Sequence, residues 1–529
     1  MKANRNSAPE QRVAVIGAGI SGLATAALLG REGYQVTLFE ALPRTGGRAG
    51  SWSSEGFRFD LGPSWYLMPE VFEHFYRLLG TSTEEQLELV RLDPGYQVFF
   101  EEQQEALRIR ASRQANQDLF ESIEPGAGAA LGRYLEAAEE TYRVALGSFL
   151  YTNFASPGSF FSQDVLKHAG TMLPLLMKSL DQHIRSSFGD ERLRRILGYP
   201  AVFLGASPML APALYQLMSH LDLESGIDYP LGGFTEIIGS IENLARAQNV
   251  RIRTGTEITE ITTTSGRKPS VTGVHYREAD GSIHHHSAEI VVSAADLHHT
   301  ETALLPEALR SYPESWWQRK IPGPGAVLVY LGVRGSLPEL EHHNLLFVRE
   351  WNQNFSAIFD AAEGEAFVDP ASLYVCRPSA SDPSVAPEGH ENLFLLIPVP
   401  ADSGLGAGGL NGGGDRRVEE LADAAIRQLA DWSGCHDLAD RIVLRRTSGP
   451  ADFARDYGSW SGSALGPAHT LRQSAFLRGR NTSAKVAGLF YAGATTVPGV
   501  GLPMCLISAE LVVKRLRGET SAQPLPEPL

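Results

Sequence analysis

The stretch Arg12–Glu40, RVAVIGAGISGLATAALLGREGYQVTLFE, leaves the chain little choice of fold. Val13, Ala14, Val15 and Ile16 form an apolar run that predicts a strand buried on both faces. The run breaks into Gly17-Ala18-Gly19-Ile20-Ser21-Gly22, with the spacing G-x-G-x-x-G. A helix is expected through Ala24, Ala27, Leu28 and Leu29, stopping near Gly33, before a second strand, Val36 to Phe39, that ends on Glu40. Each piece has a mechanical role in holding a dinucleotide. Gly17 allows the tight turn, Gly19 lets the backbone approach a pyrophosphate, and Gly22 lets helix and strand pack closely. The helix N-terminus offers unpaired N–H groups and a positive dipole end. Glu40 is placed to accept hydrogen bonds from ribose hydroxyls, beside Ala41. A glycine triplet alone is weak evidence; strand, loop, helix, strand and acid in register are strong evidence.

Gly46, Gly47 and Arg48 follow at once in ALPRTGGRAGSW, and then comes FRFDLGPS, containing Gly62, Pro63 and Ser64. A chain running beside an extended cofactor needs residues without side chains, and an arginine answers phosphate charge. This second glycine pair is not needed for NAD. It resembles FAD-containing amine oxidases and desaturases, where the segment runs along the ribityl chain, so FAD is the expected cofactor. The end of the chain has the same character. The strand Leu489 to Ala492 enters a loop from Gly493 to Met504, and an apolar helix, Cys505 to Leu516, follows. Gly493, Gly501, Leu502, Pro503 and Met504, with Ile258 from a strand expected at Glu257 to Ile261, complete the expected cofactor-binding set.

The 529 residues allow two or three domains, and 43% hydrophobic with 20% charged residues describe a folded chain. A net charge of −15 argues against nucleic acid as a partner. The three cysteines, Cys376, Cys435 and Cys505, are widely spaced and fit a reducing cytoplasm; no metal site is expected. The tail MKANRNSAPEQR has no apolar core of a secretory signal, and no apolar run reaches the roughly 20 residues of a bilayer span.

Residues 126–225 read as largely helical, with Gly126 to Gly132 a helix start and not a second nucleotide loop. Phe149 to Phe188 crowds Phe149, Leu150, Tyr151, Phe154, Phe160, Phe161, Met172, Leu173, Leu175, Leu176 and Met177 around Lys167, His168, Lys178, His183 and Arg185. Such a stretch suits either a bilayer interface or an ordinary core. An amphipathic helix is expected from Thr235 to Ala247, and a hairpin turns at Asp280-Gly281. His284 to His286 fall in a strand, where neighbours face opposite sides, so they read as a solvated hairpin and not a metal site. Apolar runs at Ala326 to Val333, Leu345 to Val348, Leu373 to Cys376 and Leu393 to Val399 predict an antiparallel sheet. The glycine-rich loop Gly404 to Gly414 reads as too long and flexible for a phosphate cradle.

Together, FRFDLGPS, DYPLGGFTEIIGSIENLA, VVSAADLHHT, SASDPSVAPEGHENLFLLIPVP and GLFYAGATTVPGVGLPMCLIS make the chain resemble the bacterial-type phytoene desaturases of carotenoid biosynthesis. Two departures stand out: Ala494 where amine oxidases commonly carry an acid, and Val497 where several desaturases carry a histidine. The resemblance implies an α/β fold, with a discontinuous Rossmann-like FAD-binding domain (1–100, 226–300 and 481–529), a helical and membrane-associating region (101–225) and an inserted mixed-sheet substrate domain (301–480). It also implies a phytoene-like long polyene substrate, a cytoplasmic protein lying peripherally on a membrane, and quinone or oxygen as electron acceptor. The chemistry expected is hydride removal to flavin N5 with proton loss from the adjacent carbon, inserting a conjugated double bond. No residue stands out as the proton acceptor. A ketolase, an isomerase, a C30 desaturase and a non-catalytic prenyl-lipid escort protein remain open.

Overall fold

The apolar run at the start of the chain lies in the middle of a five-stranded parallel sheet. Its strands, in spatial order, are Leu489–Tyr491, Ile290–Ser293, Arg12–Ile16, Gln35–Phe39 and Arg251–Arg253. The structure is a computed structural model that describes residues 11–103, 105–154, 170, 174–359 and 369–529. Alternation along Arg12–Ile16 sends Val13 and Val15 into one apolar core and Ala14 and Ile16 into another, so both faces are covered. The helix Ile20–Arg31 starts at Gly19 and is buried from Ile20 to Leu29. It lacks an amphipathic pattern because it is packed between the sheet and two helices, Thr235–Ala247 and Leu502–Arg517. The first and last segments of the chain therefore meet, as the sequence implies.

A seven-stranded sheet forms the second half. Its order is Ile442–Ser448, Gly325–Arg334, His390–Val399, Leu373–Cys376, His343–Phe347, Tyr96–Phe100 and Leu107–Ile109. Every pairing is antiparallel except that of His343–Phe347 with Tyr96–Phe100. The sheet thus takes strands from 96–109 as well as from 325–448, across the expected boundary at residue 100. Val327, Val329, Leu331 and Val333 point under the helix Arg416–Ser433. Ala326, Leu328 and Tyr330 point the other way, into the main core.

The helix Ala127–Ala145 begins at Gly126, whose φ of 88° suits glycine, as expected for a helix start. Of the aromatic and basic stretch, Phe160, Phe161, Lys167, His168, Met172 and Leu173 lie outside the described residues. Tyr151 is buried, whereas Met177 is 76% exposed. The hairpin Val271–Arg277 with Ile283–Ser287 carries the three histidines. His284 stacks on Tyr276, and the half-buried His286 packs edge-on against Phe39.

The glycine-rich loop is a correction to the sequence reading, because hydrogen bonds to acidic side chains tie it at several points. Its N–H groups are occupied by acids: Ala407 donates to Asp415 (2.8 Å), Gly408 to Asp452 (2.6 Å) and Gly414 to Glu419 (3.1 Å). These three donors are turned to carboxylates and not to a phosphate. A Cβ on Gly408 would lie 2.2 Å from the carbonyl carbon of Thr447. Gly408→Ala is therefore expected to lower thermal stability, by about 1–3 kcal/mol or more. Flavin content per folded molecule should be unchanged; flavin loss without a lower melting temperature would give the loop a binding role instead.

Candidate cofactor and substrate site

One cavity of about 680 Å³ lies between the two halves. Every expected site residue lines it except Ala18 and Gly22. Those two act from behind the wall. A Cβ on Gly22 would sit 1.8 Å from the Gly17 carbonyl oxygen, so this glycine is set by helix–strand contact. Ala18 is fully buried and donates its N–H to Glu40 Oε2 at 2.6 Å. Glu40 Oε1 accepts the N–H of Leu42 at 2.9 Å. Burial raises the Glu40 pKa, and these N–H donors oppose the rise. Glu40 thus braces the glycine turn, and the remaining lone pairs of its carboxylate are the ones available to ribose hydroxyls.

The two glycine segments interlock. Gly46 donates to the Ala18 carbonyl at 2.8 Å and adopts φ 113°, while a Cβ on Gly47 would come within 3.3 Å of Gly19 Cα. Gly19 differs from its neighbours: its φ is −69°, and a Cβ there meets nothing within 4 Å. Backbone strain does not demand glycine at this position. The space in front of it belongs to the cavity, at the N-terminus of a buried helix, which is where a pyrophosphate fits.

Arg48 is not a solvated surface group. Its Nη2 donates to Ser459 Oγ at 2.8 Å, and its guanidinium lies 5.4 Å from the Tyr457 ring centroid. Burial raises the pKa of Asp296, opposed first by the charge of Arg48. Arg48 Nε and Asp296 Oδ2 are both buried without a hydrogen-bond partner at this wall. Orphaned buried polar atoms beside an open cavity suit a polar cofactor.

The C-terminal wall begins at Gly493, φ 112°, and ends at Gly501, φ 117°, which caps the helix Leu502–Arg517. Leu502, Pro503 and Met504 form its first turn, with the positive end of the dipole at the cavity. Behind the loop, the buried guanidinium of Arg478 donates to the carbonyls of Ala494 (2.6 Å), Pro467 (3.1 Å) and Thr496 (3.2 Å). Burial brings its pKa down to about 10. The cavity wall also carries the apolar side chains Leu150, Phe203, Leu217, Met218, Leu328 and Leu396.

Sequence reasoning missed Asp296, Arg478 and His469. Asp296 ends the quoted VVSAAD strand, a signal that was present; Arg478 and His469 stand in loop with no motif around them. It also could not foresee that His342, His343 and Cys376 come together, with ligand-capable atoms within 4.8 Å. The register that places His343 opposite Cys376 is what joins them. His343 Nδ1 pairs with Tyr374 Oη at 2.8 Å, and His342 Nδ1 with Ser381 Oγ at 2.9 Å. The His343 ring stacks on Trp65 of the cavity wall, and Ser64 Oγ lies 2.7 Å from Tyr374 Oη.

Residues 20–517 match the family of flavin-containing amine oxidoreductases. The chain is 39% identical over 506 residues to a carotenoid 3,4-desaturase of Haloarcula japonica, covering 95% of this chain and 97% of that protein. The chain belongs to the carotenoid desaturases of this flavin family. The desaturase is also 34% identical over 516 residues to the zeta-carotene-forming phytoene desaturase of Myxococcus xanthus, covering 97% and 95% of the two chains. Its fold matches the crystal structure of an oxidoreductase from Methanosarcina mazei, with a TM-score of 0.58 at 17% identity over 95% of this chain and 100% of that one. The desaturase is an FAD-dependent oxidoreductase. No helix among its described residues is long and apolar enough to cross a membrane.

Two glycines of one motif should therefore fail differently. Gly19→Val projects into open cavity, and the folded protein is expected to lose FAD absorbance. Gly22→Val drives atoms into the Gly17 carbonyl, and little folded protein is expected. Normal flavin retention in folded Gly19→Val would overturn the placement of the pyrophosphate.

Proposed function

We propose that the desaturase inserts conjugated double bonds into phytoene, towards lycopene. The observation that carries this reading is that one cavity is lined both by the glycine loops and by apolar side chains such as Leu217, Met218 and Leu328. Bound FAD supplies acceptance of two electrons with a hydride. In this reading the backbone at Gly17, Gly19 and Ile20 receives the pyrophosphate, Glu40 the adenosine ribose, and Gly46 to Arg48 with Gly62 to Ser64 the ribityl side. The helix start at Leu502 to Met504 turns its positive dipole end to the cavity and would favour negative charge on a bound cofactor. Leu217, Met218 and Leu328 hold the polyene and exclude water.

The 39% identity to a carotenoid 3,4-desaturase favours a second reading, in which an already conjugated carotenoid is the substrate. Purified holoenzyme given phytoene or lycopene separately distinguishes the two by product spectra. Phytoene converted to species absorbing at longer wavelength is the expected outcome. Consumption of lycopene alone would select the second reading, and consumption of neither would overturn both.

We also propose that the desaturase docks on anionic membrane, through a different surface from the aromatic stretch Phe149 to Arg185 alone. Met177, Leu210, Ile321, Leu471, Phe476 and Leu477 are six of the nine large exposed apolar side chains among the described residues. Their segments are tied together: Ala213 to Lys178, Ile321 to Gln473, and Phe476 to Phe154, with ring centroids 6.5 Å apart. Exposed Lys178, Arg319, Arg472 and Arg480 stand within three residues of members of this set along the sequence, on a chain of net charge −15, a local charge suited to anionic lipid. Flotation with anionic liposomes should carry the protein upward. The double substitution Phe476→Glu with Leu477→Glu should leave it at the bottom; equal flotation of that variant would place the membrane contact elsewhere.

A further inference from the structure

Among the described residues, no carboxylate pairs with the buried guanidinium of Arg478. We propose that its counter-charge is the bound flavin ring once reduced, and that Arg478 thereby raises the reduction potential of the flavin. This rests on the cofactor placement proposed above. Arg478 does not itself line the cavity, so it is a positioning residue that acts through the loop in front of it.

The side chain stands directly behind the C-terminal wall. Nη2 donates to the carbonyl of Ala494, which lines the cavity, and Nη1 and Nε to those of Pro467 and Thr496. The field of the cation crosses this loop. Burial, and after it the charge of Arg478, lower the basicity of the cavity-lining His469. Burial pushes the thiol of cavity-lining Cys505 up to about 12, and Arg48 and Arg478 oppose that rise.

Tying the loop in place does not require a charge. Asn481, fully buried three residues further on, does so with a neutral amide. Its Nδ2 donates to the carbonyls of Val497 (3.1 Å) and Tyr491 (3.2 Å) and to Ser508 Oγ (3.2 Å). Between the two, the Gly479 carbonyl accepts the Val497 N–H at 2.9 Å. A guanidinium in the same segment costs far more to bury than an amide unless an opposite charge meets it. Carbonyl oxygens satisfy its N–H groups but bring no net charge.

The described chain does not supply that charge. Four carboxylates line the cavity, and each is engaged elsewhere. Glu40 accepts the N–H groups of Ala18 and Leu42, and Glu257 pairs with Arg277 at 2.7 Å. Asp296 accepts the His298 N–H at 2.9 Å under the charge of Arg48, and Asp456 pairs with Arg455 at 2.7 Å. The acidic groups that do bear on Arg478 are the Tyr215 hydroxyl and the Cys505 thiol, and burial keeps both protonated. Lys320 meets Arg478 as a like charge. A polyene brings no charge at all. The flavin ring is neutral when oxidised, and two electrons with one proton leave it with a single negative charge, the electrons coming from the polyene in turnover. A cation fixed behind the wall therefore favours the reduced ring over the oxidised one.

Anaerobic titration of the holoenzyme with dithionite and a reference dye tests this. In wild type, from about pH 7 upward, the midpoint potential should fall by about 30 mV for each tenfold drop in proton activity, one proton per two electrons. Twice that slope would mean a neutral reduced ring and would overturn the assignment. Arg478→Met should retain FAD but hold the reduced form about tenfold or more weakly relative to the oxidised form, a midpoint lower by about 30 mV or more. Sulfite, which adds to the oxidised ring and leaves negative charge on it, should bind that variant about tenfold or more weakly. Arg478→Lys keeps the charge but not the three-carbonyl fork, and both readouts should lie nearer wild type than those of Arg478→Met, even with a lower melting temperature. An unchanged potential in folded Arg478→Met, or equal falls in the two variants, overturns the proposal. FAD affinity lost alike in both redox states also overturns it, because the pyrophosphate would then be the counter-charge. If Arg478→Met does not fold, the wild-type slope decides. FAD retained by folded Gly19→Val overturns the cofactor placement, and this inference with it.

Discussion

The Gly17 carbonyl leaves no room for a β-carbon at Gly22, and that contact positions the rest of the cofactor half. It seats the helix Ile20–Arg31 directly on the turn, so the helix N-terminus faces the cavity at close range. Glu40 then ties the turn to the end of the second strand through Ala18, and the Ala18 carbonyl holds Gly46. The second glycine segment crosses the first because neither carries a side chain at the crossing. A methyl group at Gly22 would disturb this whole stack, although Gly22 itself does not touch the cavity.

Electrostatics in the C-terminal wall follow a different logic. Arg478 is buried with carbonyl oxygens as its partners, which satisfy its N–H groups without neutralising its charge. The field it leaves acts on what lies around it. It lowers the basicity of His469 and opposes the upward shift of the Cys505 thiol. Together with the helix dipole at Leu502, it makes this end of the cavity favourable to negative charge.

Local chemistry made the cofactor half readable from sequence. Glycine spacing, an acid at a strand end and apolar runs bounded by turns act over short distances, and all the residues they named but Ala18 and Gly22 line one cavity. The strands of the larger sheet were equally visible between Ala326 and Val399, since continuous apolar runs mark them directly. What could not be read depends on register and long-range return of the chain. Tyr96–Phe100 joins that sheet from far upstream through a parallel pairing with His343–Phe347. His469 and Tyr215 meet only because distant loops pack together, and no spacing encodes that. The glycine-rich loop misled in the opposite direction: composition suggested flexibility, while Asp415, Asp452 and Glu419 hold it in place.

The meeting of the two chain ends has a bearing on how the protein is made. The strand Leu489–Tyr491 completes one edge of the parallel sheet, and the helix Leu502–Arg517 packs against the helix Ile20–Arg31. A ribosome synthesising the chain therefore releases the dinucleotide turn first and the opposite wall last. Until the final helix emerges, the apolar flank of Ile20–Arg31 has no cover and the cavity no C-terminal side. The cofactor wall is thus completed only by a segment made long after the dinucleotide turn.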